Sequence, residues 1–304
     1  MNAPSRRSFL KLSALAAGSF AAGPISQALA IEPIGRTRPS HLKLSLAAYS
    51  FRDYLTAKAG GKPRMDLFQF VDLAADNAID AVELTSYYFP PNVTPEYLHK
   101  LKQHAFNLGL DVSGTSVGNN FCVPSGPLRE TQLKLVRTWV DHAAELDAPV
   151  IRVFAGSVAK GDTEEVAVAR AVECLKLSLP YAEQKGVSLA LENHGGITAT
   201  PEQLLKLVKA VEAPNFGVNL DTGNFRTADP YAALAEIAPY AINVQVKTEI
   251  SPRGKPTTET DLAKLVGILK KARYSGYVVL EYEAKADPME AVPKHLKALR
   301  DLMG

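Results

Sequence analysis

The chain has 304 residues, 46% of them hydrophobic and 22% charged, with a formal net charge of +2. That composition excludes a disordered scaffold, and the length suits one large domain, such as an alternating barrel of about 250 residues. The near-neutral charge offers no footprint for nucleic acid, and two cysteines, Cys122 and Cys174, make no disulfide framework and read as free or buried thiols.

Residues 1–30 differ from the rest. The segment SRRSFLKLSALAAGSFAAGPISQALA pairs Arg6 with Arg7, runs through small apolar residues and ends on Ala28-Leu29-Ala30. A positive start, a modest apolar region and a small-residue cleavage site read as a secretory signal. SRRSFLK matches the pattern of a twin-arginine signal, so the export machinery of that name is an expected partner and the location periplasmic or secreted. The stretch from Leu12 to Ala30 has the length of a membrane span, but its Gly, Ser and Pro24 make it a weak one. No stable membrane association is expected after cleavage. The segment holds three of the 34 basic residues and no acid, which leaves 31 against 32 acidic residues, a net charge of −1, in residues 31–304.

From Leu42 onward, β-like runs alternate with longer helical patterns. In chain order the runs are LKLSLAAYSF, DAVEL, LDVSGTSV, PVIRVFAG, VSLALENH, FGVNLDTGN, INVQVKTE and YVVLEYE. Between them, stretches such as MDLFQFVDLAADN, TQLKLVRTWVDHAAEL and DLAKLVGILKKARY repeat apolar residues at three- and four-residue spacing, the mark of helices with one buried face. Thr94-Pro95, Thr200-Pro201 and Asp229-Pro230 each set a capping side chain before a proline in the first turn. Eight strand–helix units predict an α/β fold, a single-domain (β/α)8 TIM barrel over residues 31–304. A doubly wound open sheet is the alternative, but the first strand lacks the glycine-rich turn of a dinucleotide site.

In such a barrel the C-terminal strand ends form one rim, and acids or amides recur there. Glu192 closes the fifth run, Asp221 the sixth, Gln245 the seventh and Glu281 the eighth, at separations of 29, 24 and 36 positions. One such residue is usually a solvated or paired side chain, and Asp221-Thr222-Gly223 alone would be an ordinary turn. Three facing carboxylates repel unless a cation holds them, so four consecutive strand ends point to an oxygen-rich site for a hard divalent ion. His194 shares the face of Glu192, and Lys247 that of Gln245, by the two-residue parity of a strand. His194 is expected either on a substrate hydroxyl or hydrogen-bonded at the strand end, and Lys247 either on a substrate oxygen or in a salt bridge to one of the acids. Glu83 and Arg152, ending strands two and four, are candidates for substrate contacts, and Tyr49, Phe51, Tyr87 and Tyr88 for an aromatic wall.

The segments LALENHGG, NLDTGN, NVQVK and VVLEYE resemble the xylose isomerase-like barrels, and within them the sugar phosphate isomerase/epimerase group. The resemblance runs from about Leu42 to the C-terminus. It implies a divalent metal, often manganese, held by Glu192, Asp221 and Glu281, with Glu192 and Glu281 also serving as acid/base groups on opposite faces of the substrate. The chain departs from the pattern at Gln245, where the group usually has His. An amide oxygen can still coordinate, and losing the one nitrogen donor shifts preference from zinc toward manganese, magnesium or calcium.

The function expected is metal-dependent isomerisation or epimerisation of an unphosphorylated sugar or keto-sugar through an enediolate. A lyase that eliminates a leaving group from a 3-keto-glycoside would share the first step. An apurinic endonuclease-like hydrolase would need a histidine-rich zinc cluster, whereas His41, His99, His104, His142 and His295 fall mostly on helices or in the segment before the first strand. A sugar-binding protein would not need the acid/base carboxylates. Self-association into a homo-oligomer is compatible with this composition.

Overall fold

The computed structural model describes residues 32–57 and 61–304. The twin-arginine segment lies outside the described residues. Eight parallel strands close into a barrel: Leu42–Ala47, Ala81–Thr85, Asp111–Ser116, Val150–Val153, Ser188–Glu192, Phe216–Asp221, Ala241–Val246 and Gly276–Leu280. They follow one another around the barrel in chain order, and the first pairs with the eighth. The eight runs read from the sequence are these eight strands, and the open sheet is not formed.

Alternation along the strands sets two faces. Residues such as Leu44, Leu46, Val82, Leu84, Leu189, Leu191, Val218, Leu220, Val244, Val246, Val278 and Leu280 point outward into the apolar layer under the helices. Their neighbours point inward, where Ser45 and Ser113 share a hydrogen bond of 2.8 Å. Glu83 on strand two meets Asn243 on strand seven at 3.0 Å. Strands two and seven are not neighbours, so this contact crosses the barrel interior.

Helices follow the strands, among them Leu67–Asp76, Pro95–Asn107, Pro127–Glu145, Glu164–Gln184, Pro201–Lys209, Pro230–Ile237, Leu262–Lys271 and Pro288–Met303. The three predicted caps are made: Thr94 and Thr200 accept from the backbone N–H groups of Tyr97 and Gln203, and Asp229 from those of Tyr231 and Ala232. After strand seven a short antiparallel ribbon pairs Glu249–Ile250 with Thr258–Glu259. Among the described residues no helix is long and apolar enough to cross a membrane. Cys122 and Cys174 are buried and free.

Candidate active site

The polar side chains inside the C-terminal half of the barrel form two tiers. Strand seven climbs through both, because Asn243, Gln245 and Lys247 share its inward face and each step of two residues rises about 7 Å.

The lower tier is built from amides around Glu83. Gln245 Nε2 donates to Glu83 Oε1 at 2.6 Å and Asn243 Nδ2 donates to Glu83 Oε2 at 3.0 Å. Asn219 Nδ2 donates to Gln245 Oε1 at 2.6 Å, and Asn243 Nδ2 also donates to Asn219 Oδ1 at 2.8 Å. All four residues are buried. Burial, then repulsion from Glu281, pushes the Glu83 carboxyl up to about 7, against the hydrogen bonds from Gln245 and Asn243.

The upper tier is ionic. Lys247 Nζ lies 2.9 Å from Glu281 Oε2, 2.9 Å from Glu283 Oε1 and 3.4 Å from Asp221 Oδ2. Across the site, Arg152 Nε lies 2.8 Å from Glu192 Oε2, and a guanidinium N–H of Arg152 donates to the Val117 carbonyl at 2.7 Å. Asn224 Nδ2 donates to Glu192 Oε1 at 2.9 Å. Burial holds the Glu192 and Asp221 carboxyls above the usual carboxylate range, opposed by Arg152 and Lys247 respectively. Burial alone would lower Lys247, but Asp221, Glu281, Glu283 and Glu192 outweigh it and hold the ammonium charged.

A cavity of about 220 Å³ opens over this tier, walled by Tyr49, Tyr87, Arg152, Phe154, Glu192, His194, Asn224, Lys247, Glu281 and Glu283. The His194 ring centroid lies 4.2 Å from that of Phe154, and the Arg152 guanidinium sits 4.0 Å from the same ring. His194 is exposed at the cavity mouth, but partial desolvation of its ring, followed by Arg152 and Lys247, lowers its pKa and favours the neutral form. Tyr49, Tyr87 and Tyr88 pack with centroids 6.2–6.4 Å apart. The glycines after His194 are required by the backbone: both have positive φ, and a Cβ on Gly196 would collide with the Gly156 carbonyl.

The structure thus gathers Glu192, Asp221, Glu281, Lys247, Arg152, His194 and Tyr49 at one rim. Three expectations need correction. Glu83 holds the amides of the lower tier and does not reach the cavity as a sugar contact. Gln245 has its oxygen turned to Asn219 and its nitrogen to Glu83, so it is not presented as a ligand. Phe51 is fully buried against Phe70 and is core, not wall. Asn219, Asn224, Asn243, Phe154 and Glu283 were not singled out from the sequence. Parity with Asp221, Gln245 and Glu281 is the signal that would have found Asn219, Asn243 and Glu283.

The donors present do not fit the divalent ion that the resemblance implies. Glu192 is committed to Arg152 and Asn224, Gln245 is closed into the amide tier, and the Lys247 ammonium fills the space between Asp221 and Glu281. A second cation brought within about 4 Å of that ammonium would be repelled. Among the described residues no group of three or more His, Cys, Asp or Glu is arranged to hold a metal ion.

Comparison with known proteins agrees with the fold. Residues 71–302 match the family model described as "Xylose isomerase-like TIM barrel". An uncharacterized protein of Methanocaldococcus jannaschii is 27% identical over 172 residues, 53% of this chain; the match spans 58% of that relative's length. The crystal structure of a D-psicose 3-epimerase in the presence of D-fructose superposes with a TM-score of 0.72 at 17% identity, covering 86% of this chain and 99% of the other. That of 3-keto-D-glucoside 4-epimerase from E. coli gives 0.68 at 16% identity, with 86% and 99% covered.

Proposed function

The chain belongs to the xylose isomerase-like TIM barrel family, and from that premise we propose that it is a carbohydrate isomerase or epimerase that moves a proton on the carbon beside a carbonyl. The observation that carries the proposal is the placing of Glu192 and Glu281, 3% and 5% exposed, on the wall of one cavity with Arg152 and Lys247. A carbon beside a carbonyl loses its proton slowly unless a base is held against it and the charge developing on oxygen is met. One glutamate takes the proton and the other returns it. A carboxyl held above its usual range by burial, as in Glu192, can both carry and release a proton near neutrality. The His194 ring and the Asn224 amide are placed to bind hydroxyls, and the Tyr49 and Tyr87 rings to cover the apolar face of a sugar.

The cavity argues for a neutral, monosaccharide-sized substrate. Its volume of about 220 Å³ lies below the roughly 300–1,000 Å³ of drug-sized sites. Its walls carry three carboxylates against two cations, already paired with them, which disfavours a phosphorylated sugar. The two epimerases of the same fold are sugar enzymes, in keeping with this reading. Incubation in D2O with a panel of free ketoses and 3-keto-glycosides tests it. Deuterium should enter the carbon beside the carbonyl of one of them while the sugar is returned intact. Release of a leaving group instead would identify a lyase, and exchange with none of the panel would refute the proposal.

We also propose that the protein works outside the cytoplasm, on the strength of SRRSFLK at residues 5–11. Replacing Arg6 and Arg7 by Lys should leave the protein in the cytoplasm on fractionation; normal export of that variant would remove the support.

A further inference from the structure

We propose that the Lys247 ammonium is the resident cation of this active site, meeting the negative charge that forms on a substrate oxygen at the place where the resemblance implies a divalent ion. The inference rests on the proton-transfer reading above. Its first support is position. Lys247 Nζ stands among Asp221, Glu281 and Glu283, three carboxylates from strand ends six and eight, and lines the cavity. An ammonium has three N–H donors. Its Nζ makes ion-pair contacts of 2.9 Å with Glu281 and Glu283, while the contact to Asp221 Oδ2 is long, at 3.4 Å, and that buried oxygen has no hydrogen-bond partner. With the Asp221 side so loosely engaged, an N–H of the ammonium can turn to a substrate oxygen in the cavity.

Its second support is how firmly the lysine is held. Its backbone N–H donates to Thr222 Oγ1 and its carbonyl accepts from Thr260 Oγ1, each at 2.8 Å. Gly223 leaves a channel for the stem, because a Cβ there would stand 2.6 Å from Lys247 Cγ and 2.8 Å from Lys247 Cβ. The Tyr49 ring lies 5.8 Å from the ammonium on the cavity side. A side chain that merely neutralised surface acids would need none of this enclosure. The third support is Gln245, locked between Asn219 and Glu83 and unable to complete a set of metal donors without breaking both bonds.

The chemistry balances without a further reactant. The bond from carbon to hydrogen beside the carbonyl breaks, and the proton passes to a glutamate carboxylate. The electron pair moves to form a carbon–carbon double bond, and the carbonyl oxygen becomes an oxyanion that accepts a hydrogen bond from the ammonium. Return of a proton to carbon from the second carboxyl restores a neutral sugar.

The test uses the full folded protein, stripped with chelator and titrated with manganese(II) while its EPR spectrum is followed. The parent should leave the six-line spectrum of the aqueous ion unchanged, and chelator should not alter the rate of deuterium exchange into substrate. Lys247→Met, shown to be folded by its circular dichroism, should lose about two orders of magnitude in exchange rate. Uptake of one manganese ion per chain by the parent would overturn the inference, as would a folded Lys247→Met variant within a few-fold of the parent rate. If no sugar in the panel exchanges with the parent, the reaction reading fails, and the manganese titration still decides what the resident cation is.

Discussion

Strand seven places Asn243 and Gln245 in the lower of the two polar tiers and Lys247 in the upper, two residues apart, in surroundings of opposite kind. Below, Asn243 and Gln245 donate to the two oxygens of Glu83, and Asn219 links the two amides by donating to Gln245 and accepting from Asn243. Nothing in that tier faces the cavity. Above, three carboxylates crowd one ammonium, a buried Asp221 oxygen goes without a hydrogen bond, and the whole group walls an open space. A polar cluster that is fully paired serves to fix the barrel; one left partly unpaired beside a cavity stores unfavourable electrostatics that a substrate can relieve. The difference divides stability from activity by height along the same strands.

The largest expected effect tests that division from the upper side. Glu281→Gln keeps the shape and one oxygen but removes the base, so turnover should fall by about two orders of magnitude or more and deuterium should no longer wash into the substrate. Folding stability should hold or rise, because Lys247 keeps Glu283 and Asp221 as partners while one buried negative charge is lost. The control one tier down is Asn243→Leu. It strips donors from Glu83 and Asn219, which should cost about 1–3 kcal/mol in denaturant unfolding while turnover per folded molecule stays within a few-fold. If the two variants exchanged behaviour, with Glu281→Gln unfolding and Asn243→Leu silencing the enzyme, the tiers would not divide the work as described.

How much of this was legible in the sequence follows from what strand parity can and cannot say. The eight strands and the three Thr-Pro and Asp-Pro caps were readable because they are local: a period of two or of 3.6, and a side chain that reaches its own helix. Glu192, Asp221, Glu281 and Lys247 were readable as residues sharing the inward face at strand ends. Height and partner were not. The register between strands six and seven shifts between Val218 and Asn219, so that Asn219 pairs with Asn243 and Asp221 with Gln245. Such an irregularity has no signature in either segment alone, and neither does the reach of Glu83 across the barrel to strand seven. Gln245 therefore looked like a fourth member of the acidic ring when its side chain closes the tier beneath. Phe51 looked like a wall residue because a short 3-10 turn over Ala48–Phe51 breaks the strand's parity and swings it into the core.

The smallest expected effect probes the lower tier by pH. Burial raises the Glu83 carboxyl from an ordinary 4.5 up to about 7, so between those values the folded protein holds a proton that the unfolded chain has already released. Stability should then be greatest below pH 4.5, decline as pH rises through the window, and stop declining above about pH 7, where both states are ionised. The full drop is at most about 3 kcal/mol for a group so completely buried. Glu83→Gln removes the titration, and that part of the slope in melting temperature against pH should vanish. The variant also sets an amide N–H against the donors of Asn243 or Gln245. To relieve that contact an amide must rotate, and the rotation passes through Asn219, so below pH 4.5 overall stability should be lower than the parent's. The slope, not the offset, is what identifies Glu83. Glu192 and Asp221 are raised in the same direction and should leave some pH dependence behind in the variant. A melting curve whose slope between pH 4.5 and 7 matches the parent's would mean that Glu83 does not carry the proton, and that the amide tier holds it ionised throughout.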